Sequence, residues 1–111
     1  MRLALSPGGG NSVSIRFPKD ARVLALGLAG AAIPLPRDGE PDKALLRCTG
    51  RSCEGLRIDV LLGDRKPVEV ELFSTRFGLP PEGQPLVAAR PGNAMPQYAP
   101  DSTITMTHIR L

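Results

Sequence analysis

Leu56-Arg57-Ile58-Asp59-Val60-Leu61-Leu62 and, after the turn Gly63-Asp64-Arg65-Lys66-Pro67, Val68-Glu69-Val70-Glu71-Leu72 carry the strictest alternation in this 111-residue chain. Successive side chains of a strand point to opposite faces, so Leu56, Ile58, Val60 and Leu62 share one face. Val68, Val70 and Leu72 likewise share a face, and Glu69 and Glu71 take the other, as in a strand with one side in water. The spacing predicts a hairpin of two half-buried strands.

Working outward, the same rhythm recurs in short pieces. Leu3 and Leu5 precede the turn-forming run Pro7-Gly8-Gly9-Gly10-Asn11, and Val13, Ile15 and Phe17 then alternate with Ser12, Ser14 and Arg16, which predicts another hairpin. Pro18-Lys19-Asp20 turns the chain into Arg22–Leu28, whose Leu and Val content suits a strand in a sheet centre. Pro34 to Asp42, with three prolines and Gly39, reads as a surface loop. A strand follows from about Ala44 through Leu45, Leu46 and Cys48. Ser102 to Leu111 alternates Thr103, Thr105 and Thr107 with Ile104, Met106 and His108, a closing strand. Gly78 to Pro100 holds six prolines and reads as a long crossing or loop, with a helical turn near Leu86–Ala89. About seven short antiparallel strands with turns every 8 to 12 residues indicate an all-β sandwich, Ig-like or jelly-roll-like. The chain reads as a single domain over residues 1–111.

Composition supports this class. Gly and Pro number 12 each, which disfavours helix. The 14 basic and 11 acidic residues are interleaved, with no basic stripe and few aromatic rings for stacking, so nucleic acid is not an expected partner. The apolar run Val23–Leu35 is broken by Gly27, Gly30 and Pro34 and is shorter than the roughly 20 residues of a spanning helix, so direct membrane insertion is not expected. Met1–Leu5 runs straight into Ser6-Pro7-Gly8, leaving no apolar region of a signal peptide; any export signal is expected outside this stretch.

Residues able to carry chemistry are few. Cys48 and Cys53 flank a four-residue loop containing Gly50. A disulfide is the first reading, free thiols the second and redox chemistry a distant third, since the spacing is not Cys-x-x-Cys. Two Cys and the single His108 cannot furnish a four-ligand structural zinc site. No Gly-x-Ser-x-Gly elbow accompanies His108, so a small hydrolase has little support. Asp38, Glu40 and Asp42 do not follow calcium-loop spacing and read as a solvated acidic loop. Gly8-Gly9-Gly10 is read as a turn rather than a phosphate cradle. Phe73, Phe77 and Tyr98 are expected in the core, with a sugar platform as the alternative. Leu79, Leu86, Val87, Met95 and Tyr98 make the Pro-rich segment too apolar for a disordered tail. They are expected to cap the open end of the sandwich or else to form an interface.

Leu79-Pro80-Pro81, Leu86-Val87-Ala88-Ala89-Arg90-Pro91, Ala94-Met95-Pro96, Asp101 and Ile109-Arg110-Leu111 resemble the end of bacterial zinc aminopeptidase-like proteins of the twenty-eighth family of metallopeptidases. The resemblance covers the C-terminal third. It implies an accessory, non-catalytic domain that follows a peptidase domain and transmembrane helices and faces the periplasm or the outer side of the membrane. The dinuclear zinc of such a family belongs to the peptidase domain, through His, Asp and Glu ligands and a Glu general base; with one His, this chain is expected to hold no cofactor and no catalytic residue. The implied partner is the catalytic domain of the same polypeptide, with a homodimer as a further expectation. The alternative is a free-standing secreted module for sugar or peptide.

Overall fold

The computed structural model describes residues 1–28, 30–35, 44–95 and 100–111; Tyr98 and the Asp38, Glu40 and Asp42 group lie outside the described residues. Eight strands are described: β1 (Arg2–Leu5), β2 (Ser12–Arg16), β3 (Val23–Leu28), β4 (Ala31–Pro34), β5 (Leu45–Thr49), β6 (Leu56–Leu62), β7 (Glu69–Phe77) and β8 (Ser102–Arg110). They form two antiparallel four-stranded sheets, β1-β6-β3-β4 and β5-β2-β7-β8. The chain is therefore the all-β sandwich its alternation indicates.

The core lies between the sheets. Val13, Ile15 and Phe17 from the β2 segment, Ile58 and Val60 from β6, and Val68 and Val70 at β7 are buried, together with Leu5, Ala21 and Cys53. Phe17 is the largest fully buried side chain among the described residues. Burying one such residue stabilises the fold by roughly 1.5–3 kcal/mol before entropy is counted.

Neither expected hairpin forms. β1 pairs with β6 and β2 pairs with β5 and β7, so the Ser6–Asn11 turn carries the chain from one sheet to the other. The turn at Gly63–Pro67 does the same, because β6 and β7 belong to different sheets. Alternation dictates which face is buried and leaves the partner open, and in a sandwich the neighbour in sequence can lie across the core. Gly10 shows why the first turn crosses: a Cβ there would stand 2.7 Å from the Thr75 carbonyl oxygen of β7. The adjoining Asn11 amide donates to that same oxygen at 2.6 Å, and Asn11 Oδ1 accepts from the Phe77 amide at 2.7 Å.

Among the described strands, consecutive ones pair in β3–β4, a hairpin, and in β7–β8, which the long segment 78–101 connects. β4 falls partly on residues read as loop, because Ala31-Ala32-Ile33-Pro34 lacks alternation and ends in a proline; at a sheet edge that proline is tolerated. β3 lies between β6 and β4, the central position its composition suggests. On the sheet's far edge, Arg2 donates to both carboxylate oxygens of Asp59, at 2.8 and 3.1 Å, tying β1 to β6. That hydrogen bond lowers the Asp59 pKa, so the pair's contribution is present above the ordinary carboxylate range and fades as pH falls through the lowered value.

Cys48 and Cys53 form a disulfide with Cα atoms 5.7 Å apart. It joins β5 to the turn Arg51–Cys53 that leads into β6, and so fastens a crossing between sheets with Cys53 wholly buried.

Two stability measurements test this architecture. Phe17→Ala should cost about 3–5 kcal/mol in urea unfolding. Reducing Cys48–Cys53 should add two hydrogens to the intact mass and cost about 2 kcal/mol, the loop-closure value for so small a ring. A Phe17→Ala loss below about 1 kcal/mol would place that ring outside the core.

Candidate interaction surface

Register defines the outer face of the β5-β2-β7-β8 sheet. Phe73 lies opposite Met106, Thr75 opposite Ile104, and Phe77 opposite Ser102. These residues share the phase of Glu69 and Glu71, not that of buried Val70. Ile104 is 65% exposed, Phe77 57% and Met106 54%. With half-buried Phe73 they form an apolar stripe across β7 and β8 on the solvent side. Contiguous exposed apolar side chains on a small domain mark binding surfaces more often than chance.

One end of the stripe is charged. Arg16 forms an ion pair with Glu71 and sets its guanidinium 5.1 Å from the centre of the Phe73 ring. The hydrogen bond to Glu71 raises the Arg16 pKa. His108 Nδ1 lies 2.9 Å from Glu69 Oε1. Arg16, Glu69, Glu71 and His108, with Pro18, line a pocket of about 110 Å³. Ser14 lies opposite Arg47 and Phe73 on the flanking strands and is buried on an outward face, its Oγ accepting from Arg47 Nε at 3.3 Å. Among the described residues no group of three or more His, Cys, Asp or Glu side chains stands where it could hold a metal ion.

At the other end, the chain between β7 and β8 leaves the sandwich. Gly78 N donates to the Asp101 carbonyl at 2.7 Å, and Thr103 Oγ1 donates to the Gly78 carbonyl at 2.8 Å, closing the base of the excursion. Arg90 Nη2 donates to both carboxylate oxygens of Asp101, at 2.7 and 2.9 Å. Beyond this base lies a short helix α1 (Gln84–Ala88), preceded by the turn Pro81–Gly83, where a helical turn was expected. Leu79 packs against Gly83, close enough that a Cβ on Gly83 would meet it at 2.9 Å. Leu86 is 72% exposed, Met95 83%, and Val87 is also exposed. These three side chains therefore do not cap the core; the domain closes its core without them. The molecule is elongated, 52 × 29 × 23 Å, with a radius of gyration of 17.1 Å where a compact chain of this length has about 13 Å.

One other reading is corrected. Phe73 and Phe77 are not core residues; their parity with Glu69 and Glu71 is the signal that places them outward. The amides of the glycine turn are already engaged, because Gly8 N donates to Ser6 Oγ at 3.2 Å, Gly9 N to Glu54 Oε1 at 3.3 Å and Gly10 N to the Pro7 carbonyl at 3.0 Å, and Ser6 Oγ donates to Glu54 Oε2. An internal carboxylate occupies the place a phosphate would take.

No family model matches the chain, and neither a curated protein nor a solved structure matches it.

If the stripe is surface and not core, Phe77→Ser and Ile104→Thr should each leave the unfolding free energy within about 0.5 kcal/mol of wild type. A loss of several kcal/mol at either position would mean that the side chain packs inside the sandwich.

Proposed function

We propose that this chain is a non-catalytic accessory domain of a membrane-anchored zinc metallopeptidase, held on the extracytoplasmic side, where it packs on or orients the catalytic domain. One observation carries the reading: the segment that resembles the end of the metallopeptidase-family proteins is the one whose apolar side chains, Leu86, Val87 and Met95, this domain does not bury for itself. Side chains that stabilise nothing within their own fold are available to a partner. The apolar stripe of Phe73, Phe77, Ile104 and Met106 borders the same end. The Cys48–Cys53 disulfide fits an oxidising compartment, since such bonds persist in the periplasm and outside the cell and are rare in the cytosol. Zinc and the catalytic carboxylates reside in the peptidase domain, and the chain's single histidine is engaged with Glu69.

A second reading, a secreted binding module for sugar or peptide, draws on the exposure of Phe77 beside half-buried Phe73, since sheet-borne aromatic rings can stack on a ligand.

The reading frame preceding Met1 should encode a peptidase domain and membrane helices. That domain, expressed separately, should bind the chain, and a Leu86→Ser, Val87→Ser double variant should weaken binding at least about tenfold, equivalent to 1.4 kcal/mol, with its melting temperature unchanged. The chain alone should hydrolyse no aminoacyl substrate with added zinc. Hydrolysis by the chain alone, or a peptidase domain that ignores it, contradicts the proposal; retention on a sugar or peptide column with no peptidase encoded nearby favours the second reading.

A further inference from the structure

The four sheet edges are not alike. β1 has four residues and begins at Arg2, β4 has four and ends at Pro34, and β5 has five, carries Arg47 and is tied at Cys48. β8 has nine residues and, among the described residues, is bonded on one side only, to β7. It contains no Pro, no Gly, no Lys and no carboxylate, and its ionisable groups, His108 and Arg110, stand at one end, so most of its length lacks the devices by which natural proteins keep a long edge from pairing. Ile104 to Arg110 is exposed on both faces.

We propose that β8 pairs with β8 of a second copy of this chain, antiparallel about a two-fold axis at Met106, joining two sandwiches through one eight-stranded sheet. This inference stands independently of the metallopeptidase reading.

The choice of partner and direction follows from the strand itself. An isologous contact requires a self-complementary edge. Met106 is the midpoint of Ser102–Arg110, so centring there engages the whole strand. Thr105 then faces Thr107 of the second copy, a favourable cross-strand pair, and Thr103 faces its Ile109. The strand's ionisable groups, His108 and Arg110, both lie at one end. Antiparallel pairing sets them against Ile104 and Ser102 of the second copy, whereas parallel pairing would oppose His108 to His108 and Arg110 to Arg110. Within its own protomer His108 already contacts Glu69, and Arg110 lies opposite Glu69 on β7. No like charges meet across the new ladder. On the outer face, Phe73 and Met106 of one copy continue into Met106 and Phe73 of the other, doubling the apolar row.

Sedimentation velocity of the 111-residue chain should show a dimer that dissociates on dilution. Met106→Glu and Met106→Lys each place like charges on the axis and should give monomers with wild-type circular dichroism and melting behaviour. An equimolar mixture of the two should re-form a dimer containing one of each. Met106→Cys should cross-link to itself under mild oxidation, which reads the axis without relying on a charged side chain. A wild-type chain that stays monomeric at all concentrations overturns the proposal. So does a charged variant that remains dimeric, a mixture that fails to associate, or an absent cross-link.

Discussion

The period-two parity of β2, β6 and β7 is the constraint on which the rest of the structure depends. Val13 and Ile15, Ile58 and Val60, and Val68 and Val70 reach the core because each pair is separated by one residue that does not. A slip of one residue in β7 would exchange Val70 and Leu72 for Glu71 and Phe73, burying a carboxylate and exposing the core. The register is therefore strongly determined wherever both sheets meet. Its consequence lies on the opposite face, because the same parity that buries Val70 obliges Phe73 and Phe77 to point into water.

Much of this was legible before any coordinates. The faces of β6 and the first half of β7 follow from Leu56–Leu62 and Val68–Leu72, and the short helical turn falls where Leu86–Ala89 suggested. Pairing was not legible. Alternating segments joined by a Gly- and Pro-bearing turn look alike whether the turn closes a hairpin or crosses between sheets, and only contacts such as Asn11 on Thr75 and Phe77 distinguish them. The outer stripe was hidden for a different reason. Aromatic residues in a chain with few of them invite a core assignment, although counting by twos from Glu69 already sets Phe73 and Phe77 on the solvent side. β4 carries too little alternation to be seen, since Ala31, Ala32 and Pro34 flank a single Ile33.

Buried and exposed apolar side chains fall in different parts of the molecule. The sandwich interior, with Phe17 at its centre and the disulfide across one crossing, accounts for the fold. The excursion after β7 contributes little to it: α1 packs mainly on the turn before it, and an ion pair, Arg90–Asp101, anchors the base to β8. A hydrogen-bonded base below exposed apolar side chains suits the proposed accessory role, because part of the ordering cost is met within the domain. The proposed accessory role and the proposed pairing through β8 use different parts of this surface, the excursion and its bordering stripe for one and the strand's open backbone edge for the other.

The most direct test of the account is the accessibility of individual side chains to a soluble paramagnetic probe, read from methyl and ring signals in a nuclear magnetic resonance spectrum. The account predicts strong broadening at Phe77, Ile104 and Met106 and none at Phe17, Val60 and Val70. Sharp, protected signals from Ile104 and Met106, with broadening at Val70, would contradict the register of β7 and with it the surface on which the functional reading rests.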